Sequence, residues 1–126
     1  MKEQQKQIVE NYVTSYNKFD IDGMIAELDG NIVFENISNG KVDLRTEGVD
    51  EFKKQAESAK KIFRQRKQTI DNWQFSNSIV SIDIKYEAIV DITLPNGLKS
   101  GDSLKLKGKS VFEFNEGKIV KITDES

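Results

Sequence analysis

The sequence predicts an α+β fold, and three features of the 126 residues lead to it. Apolar residues recur at three- and four-residue steps in the first half, the mark of helices that each bury one face. From Ile82 to Leu94 and from Leu104 to Phe114 they recur instead at every second residue. Such alternation needs only one buried sheet face, so helices early and long strands late point to an antiparallel sheet covered on one side, not to a wound parallel sheet.

The first helix is expected over Lys2 to Lys18, with Ile8, Val9, Tyr12, Val13, Tyr16 and Phe19 forming its apolar stripe. Asp20 is placed as the N-cap of a short second helix, its carboxylate accepting free amides of the next turn. Met24, Ile25 and Leu28 give that helix a stripe, and Gly30 is expected to end it. Ile32 to Ile37 reads as a strand, followed by a turn at Ser38, Asn39 and Gly40 and a brief extended piece from Lys41 to Arg45. Gly48 opens a third helix with Val49, Phe52, Ala56, Ala59 and Phe63 on one face. Asp50 and Glu51 lie at its positive end, and Lys60, Lys61 and Arg64 at its negative end.

Arg66 to Ser76 is expected to be a strand, with Trp73 and Phe75 on one side and Ile70 on the other, turning at Ser76, Asn77 and Ser78. The next strand carries Ile82, Ile84, Tyr86, Ala88, Val90, Ile92 and Leu94 on one face. After a turn at Pro95, Asn96 and Gly97, Leu104, Leu106, Phe112 and Phe114 occupy even positions among lysines, which puts Gly108 and Ser110 on the apolar face. Asn115, Glu116 and Gly117 form the last turn, and the final strand places Val120, Ile122 and Asp124 on one side. Six strands are expected, with even-numbered residues of the last three facing inward.

Composition narrows the chemistry. Net charge is −2 with 32% charged residues of both signs, so no global field selects nucleic acid, an anionic membrane or an acidic substrate. No cysteine is present, which excludes disulfides and thiolate chemistry, and no histidine, which removes the usual neutral-pH base and zinc ligand. Acid or base work falls to carboxylates, tyrosines and lysines. Residues 1–126 are expected to form one domain, and the lack of a signal-like or membrane-spanning run gives a cytoplasmic expectation.

The NYV segment of the first helix, the DIDGMIAEL segment, the NIVFEN strand, the Gly48-led helix and the closing GKSVFEFNEGKIVKITD together resemble the SnoaL-like, nuclear-transport-factor-2-like group. The resemblance implies a cone, a cystatin-like roll in which N-terminal helices pack on a strongly curved, mostly antiparallel sheet. Ketosteroid isomerases of this group use a first-helix tyrosine and a protonated late-strand aspartate as hydrogen-bond donors, with an aspartate after the first strand as base. Those positions fall on Tyr12, Ser110 and Asn36. An amide has no useful basicity, so proton transfer through Asn36 is excluded. Limonene-epoxide hydrolases hold water with an Asn and an Asp that match Asn36 and Asp124, but their Arg-x-Asp pair has no counterpart around Tyr86 to Asp91. The cyclases of the group rely on an acid, for which Asp124 is the candidate.

The expected catalytic residues are therefore Asp124, Asn36 and Tyr12, and the expected ligand-binding residues Tyr16, Tyr86, Ser110 and Phe112. Structural roles compete at each. Tyr12 reads equally as a core tyrosine, Ser110 as a space-maker, Gly108 as a close-approach position, Asn36 as a turn former and Asp124 as a terminal carboxylate. Lys53, Lys54, Lys60, Lys61, Arg64, Arg66 and Lys67 read as a solvated basic face. No metal site and no cofactor are expected. Two functions follow: an enzyme working on a small, largely apolar molecule as isomerase, cyclase or hydrolase through Asp124, or a noncatalytic ligand-binding or dimerisation module. A cavity of roughly 300 Å³ beneath the first helix separates them. A homodimer through the outer sheet face is expected from the resemblance and from Ile89, Val111 and Ile119, apolar residues at otherwise charged outward positions; neither nucleic acid nor membrane is an expected partner.

Overall fold

In the computed structural model, which describes residues 2–95 and 97–126, the first apolar stripe forms α1 (Lys2–Asn17) and buries Val9, Tyr12 and Val13. The helix is stopped at Phe19, whose φ of 59° lies in the left-handed region. Asp20 then caps α2 (Ile21–Ile25), its Oδ1 accepting from the Gly23 amide at 3.0 Å. The second helix is shorter than expected. Leu28 already begins β1 (Leu28–Ser38), and Gly30 lies within that strand instead of ending a helix.

The turn at Asn39 and Gly40 leads into β2 (Lys41–Glu47). Gly48 follows, with a φ of 88° that favours glycine, and caps α3 (Val49–Lys60) while its amide donates to the Ile32 carbonyl at 2.8 Å. Phe63 is not in this helix; it opens β3 (Phe63–Ser76), which turns at Asn77 into β4 (Ile79–Val90). Strands β5 (Ser103–Asn115) and β6 (Lys118–Glu125) complete the chain. Of the turn expected at Pro95 to Gly97, Asn96 lies outside the described residues.

The strands form one curved sheet in the order β2-β1-β6-β5-β4-β3, antiparallel except that β6 runs parallel to β1. Four register shifts in antiparallel pairs, after Asn36, Phe63, Ile70 and Glu113, have the form of bulges, which bend the strand and tighten its twist. The helices fill the concave side, where Val9, Ile32, Val80, Ile82, Phe112 and Ile122 are 0–1% exposed.

The bulges correct the parity expected from sequence. Ile70, Trp73 and Phe75 all pack against the core, because the shift between Ile70 and Asn72 returns the later residues to the same face. In β6 the shift beside Phe114 turns both Ile119 and Ile122 inward, each 0% exposed, while Val120 is only partly buried. The even-face assignment holds for Ile84 and Val90, but Leu106 is 45% exposed. Ile92 and Leu94 lie beyond the end of β4, and Ile92 is exposed.

Burial of Ile119 also removes one member of the outward apolar set. The other two are not neighbours: Ile89 pairs with Ser103 and Gln65, whereas Val111 pairs with Ser81 and Thr123. Between them the outer face carries Asp83, Lys85 and Glu87 opposite Lys109, Lys107 and Lys105. The residue argument for a homodimer interface there does not hold.

Gly108 is a close-approach position. A Cβ built on it would lie 2.7 Å from the Glu125 carbonyl oxygen, so the end of β6 can run against β5 only where a side chain is missing. Gly108→Ala gains a few tenths of a kcal/mol from the unfolded chain but must displace backbone, and overpacking of this kind costs about 1–3 kcal/mol. Its urea midpoint is expected to fall; an unchanged midpoint would show that the contact yields easily.

Candidate functional site

Strand pairing lines up the polar residues. Leu44, Asn36, Asp124, Ser110 and Ile82 are successive register partners across β2, β1, β6, β5 and β4. Residues paired across neighbouring strands share a face, so Asn36, Asp124 and Ser110 form a polar row in a sheet face that is otherwise apolar. The row lies below α1. Asp124 does not fray: β6 is an interior strand, and beyond it the Ser126 amide donates to the Ile37 carbonyl at 3.0 Å while Asn39 donates to the Ser126 carbonyl at 3.3 Å.

Ser110, 2% exposed, donates from Oγ to Asp124 Oδ1 at 2.6 Å. Burial nevertheless dominates the environment of Asp124 and pushes its pKa from 3.8 up to about 6, against the lowering effect of that hydrogen bond. Tyr12, 5% exposed, packs edge-on against Phe112 with ring centroids 5.7 Å apart. Its phenol is held well above its usual range, first by burial and then by the nearby Asp124 carboxylate, so it stays a donor at any working pH. The Tyr16 hydroxyl donates to that of Tyr86 at 3.3 Å, and burial raises both phenols as well.

Two hollows share Asp124 as a lining residue. The inner one, about 180 Å³, lies beneath α1 and α3 and is lined by Tyr12, Tyr16, Asn36, Arg66, Asp124 and apolar residues that include Phe34 and Phe52. The outer one, about 340 Å³, opens past Tyr86, Leu104 and Leu106 and shares Tyr16, Asn36, Phe63 and Asp124 with the first. The inner space falls short of the size expected for a ligand site, whereas the outer one reaches it.

Sequence reasoning placed Tyr12, Asn36 and Asp124 around one space, and they line one cavity. Ser110 reaches that space through Asp124. Phe112 is 1% exposed and backs Tyr12 from the core, so it supports the wall instead of touching the cavity. The Asn36 amide nitrogen is directed to the rim, where it donates to Asp43 Oδ1 at 2.8 Å and to Ser38 Oγ at 3.4 Å.

Arg66 was assigned to a solvated basic face and is instead buried, at 5% exposure. Its Nε donates to the Tyr16 carbonyl at 3.0 Å, and its guanidinium carbon lies 3.7 Å from the centroid of the Tyr16 ring and 4.5 Å from that of Phe19. One signal was available in the sequence: Arg66, Gln68 and Ile70 share a strand face, and Ile70 is apolar. Gln68 is buried too, its backbone tied to the Asn17 side chain at 2.7 and 3.1 Å, which fixes the end of α1 on β3.

A helix-covered, curved sheet with an acid and buried phenols around an internal cavity defines a class of small pocket proteins. The sequence matches the family described as SnoaL-like domain over residues 9–122, and the chain belongs to that family. Among curated proteins none matches significantly. A candidate polyketide cyclase from Xanthomonas campestris pv. campestris is similar in structure at 18% identity and a TM-score of 0.83, over 98% of this chain and 90% of that one. The structure of TerC co-crystallised with polyporic acid is similar at 13% identity and a TM-score of 0.76, over 96% and 89%. A protein of ketosteroid isomerase-like fold from Catenulispora acidiphila, in complex with trimethylamine, gives 9% identity and 0.75, over 93% and 82%. At these identities the likeness establishes the fold. No helix among the described residues is long and apolar enough to cross a membrane.

The raised pKa of Asp124 has a consequence for stability. Below about pH 4 the group is protonated whether folded or unfolded, and above about pH 6 it is ionised in both, at a desolvation cost borne only by the fold. The cost therefore appears as pH rises between these values. Asp124→Asn, which keeps an acceptor for Ser110, is expected to be more stable than wild type by roughly 1–3 kcal/mol at pH 7–8. The difference should close toward pH 4 in thermal melts; a pH-independent difference would mean that Asp124 is solvated.

Proposed function

We propose that this SnoaL-like protein is a cofactor-independent enzyme that moves a proton on a small, largely apolar carbonyl compound. The observation carrying this reading is a half-buried carboxylate, its pKa raised by desolvation to about 6, that shares a cavity with a buried phenol held in its neutral form. Ionised Asp124 takes a proton from the carbon next to the carbonyl, and the C–H electrons pass into the carbonyl to form an enolate. Tyr12 donates a hydrogen bond to the enolate oxygen, where charge develops. The protonated Asp124 then returns its proton to a second position of the same molecule, which is an isomerisation, or to an oxygen after the enolate carbon has attacked a second carbonyl, which is a cyclisation. Ser110 holds the carboxylate in place through both steps.

Proton transfer is favoured over epoxide hydrolysis by the position of Asn36. Its amide nitrogen is committed to Asp43 and Ser38, so it offers only part of what a water held between Asn and Asp requires. One observation favours a noncatalytic binding module instead, namely the inner hollow of about 180 Å³, which admits only part of a drug-sized molecule. A homodimer is proposed from the resemblance alone, and sedimentation giving only monomer at high micromolar concentration would remove it.

The test uses 2-tetralone, a bicyclic ketone of suitable size, and follows deuterium uptake at its acidic carbon in D₂O by proton NMR. Wild type is expected to accelerate exchange, Asp124→Asn to lose about 10²-fold or more, and Tyr12→Phe about tenfold or more. The wild-type rate should rise with pH through about 6 and then level, because the ionised form is the base. No acceleration, or acceleration unaffected by Asp124→Asn, would leave the binding module as the better reading.

A further inference from the structure

Arg66 is the buried charge that the proposed proton transfer leaves unused. It projects from β3 beneath the last turn of α1, with one nitrogen on the Tyr16 carbonyl and two aromatic faces against the guanidinium plane. Those contacts account for part of its burial. They do not account for Nη2, which is buried with no hydrogen-bond partner, and among the described residues Arg66 forms no ion pair. A buried cation with an unused donor is costly unless an anion meets it in the working state of the protein.

Asp124 is not that anion. It lines the same inner hollow but accepts from Ser110 and forms no ion pair with Arg66, and both charges act on Tyr12, Tyr16 and Tyr86. The cavity therefore holds a guanidinium and a carboxylate that are not paired with each other, with the phenols in the field of both. A ligand matching both carries its acceptor charge away from the carbon that reacts.

Resting on the reading of this cavity as the ligand site, we propose that Arg66 selects small, mostly apolar molecules bearing one carboxylate, which it binds on the side of the cavity away from Asp124. Guanidinium groups suit this role because their planar donors match a carboxylate, and a charge-assisted hydrogen bond discriminates strongly against a neutral isostere. The competing role is a purely structural one, in which Arg66 only ties α1 to β3.

The probes are 2-naphthoate and its neutral isostere 2-naphthamide, titrated at pH 7.5 into ¹⁵N-labelled wild-type protein. The naphthoate is expected to bind about tenfold or more tightly than the amide, and to shift the Arg66 Nε–H resonance where the amide does not. Arg66→Gln should abolish the preference while keeping affinity for the amide, and Arg66→Lys should keep a reduced preference. If Arg66→Gln fails to fold, the wild-type comparison and Arg66→Lys still decide. Equal affinity for the two probes, binding of neither, a preference that survives in folded Arg66→Gln, or shifts confined to residues outside the cavity would each overturn the proposal. A naphthoate preference without 2-tetralone exchange would sink only the catalytic reading; exchange without the preference would sink only this one.

Discussion

The placement of β6 between β1 and β5 is the constraint on which the site depends. Its parallel pairing with β1 sets Asp124 beside Asn36, and its antiparallel pairing with β5 sets Asp124 beside Ser110. A terminal strand would ordinarily be free to fray, but here both edges are hydrogen-bonded and the tail beyond is held by Ile37 and Asn39. The missing side chain at Gly108 lets the last residues pass close over β5. The Asp124 carboxylate is thereby held half-buried in the sheet, and its altered acidity follows from that position.

The helices then give this polar row its environment. Tyr12 and Tyr16 lie one turn apart on α1, so one faces the inner hollow against Phe112 while the other reaches the cleft and Tyr86. Arg66 and the Asn17–Gln68 pair fasten the end of α1 to β3, which fixes both tyrosines relative to the sheet. The hydrogen bonds involved link residues 50 or 51 positions apart in the chain.

Bulges reconcile a curved sheet with a continuous core. Each shift bends its strand and resets which residues face in, so Trp73 joins Ile70 and Ile119 joins Ile122 despite spacings that strict alternation would separate. The outer face is left with a row of lysines opposite Asp83, Lys85 and Glu87, and with isolated apolar side chains. Scattered apolar residues of this kind are ordinary on a protein surface and mark no interface.

By itself the sequence determined the α+β class, the three helices, the hairpins and most of the inward face, because 3.6- and 2-residue periodicities are local properties that burial imposes directly on residue order. Resemblance of segments such as NIVFEN and GKIVKITD further singled out Asn36 and Asp124. Tertiary structure decided what periodicity cannot carry: that bulges reverse the expected sides of Ile119 and Val120, that Leu106 is exposed, that Asn36 turns its amide to Asp43, and that Arg66 is buried under α1. Each of these depends on contacts between residues far apart in the chain. The alternation of one strand records which side is apolar, but not what a neighbouring element places against it.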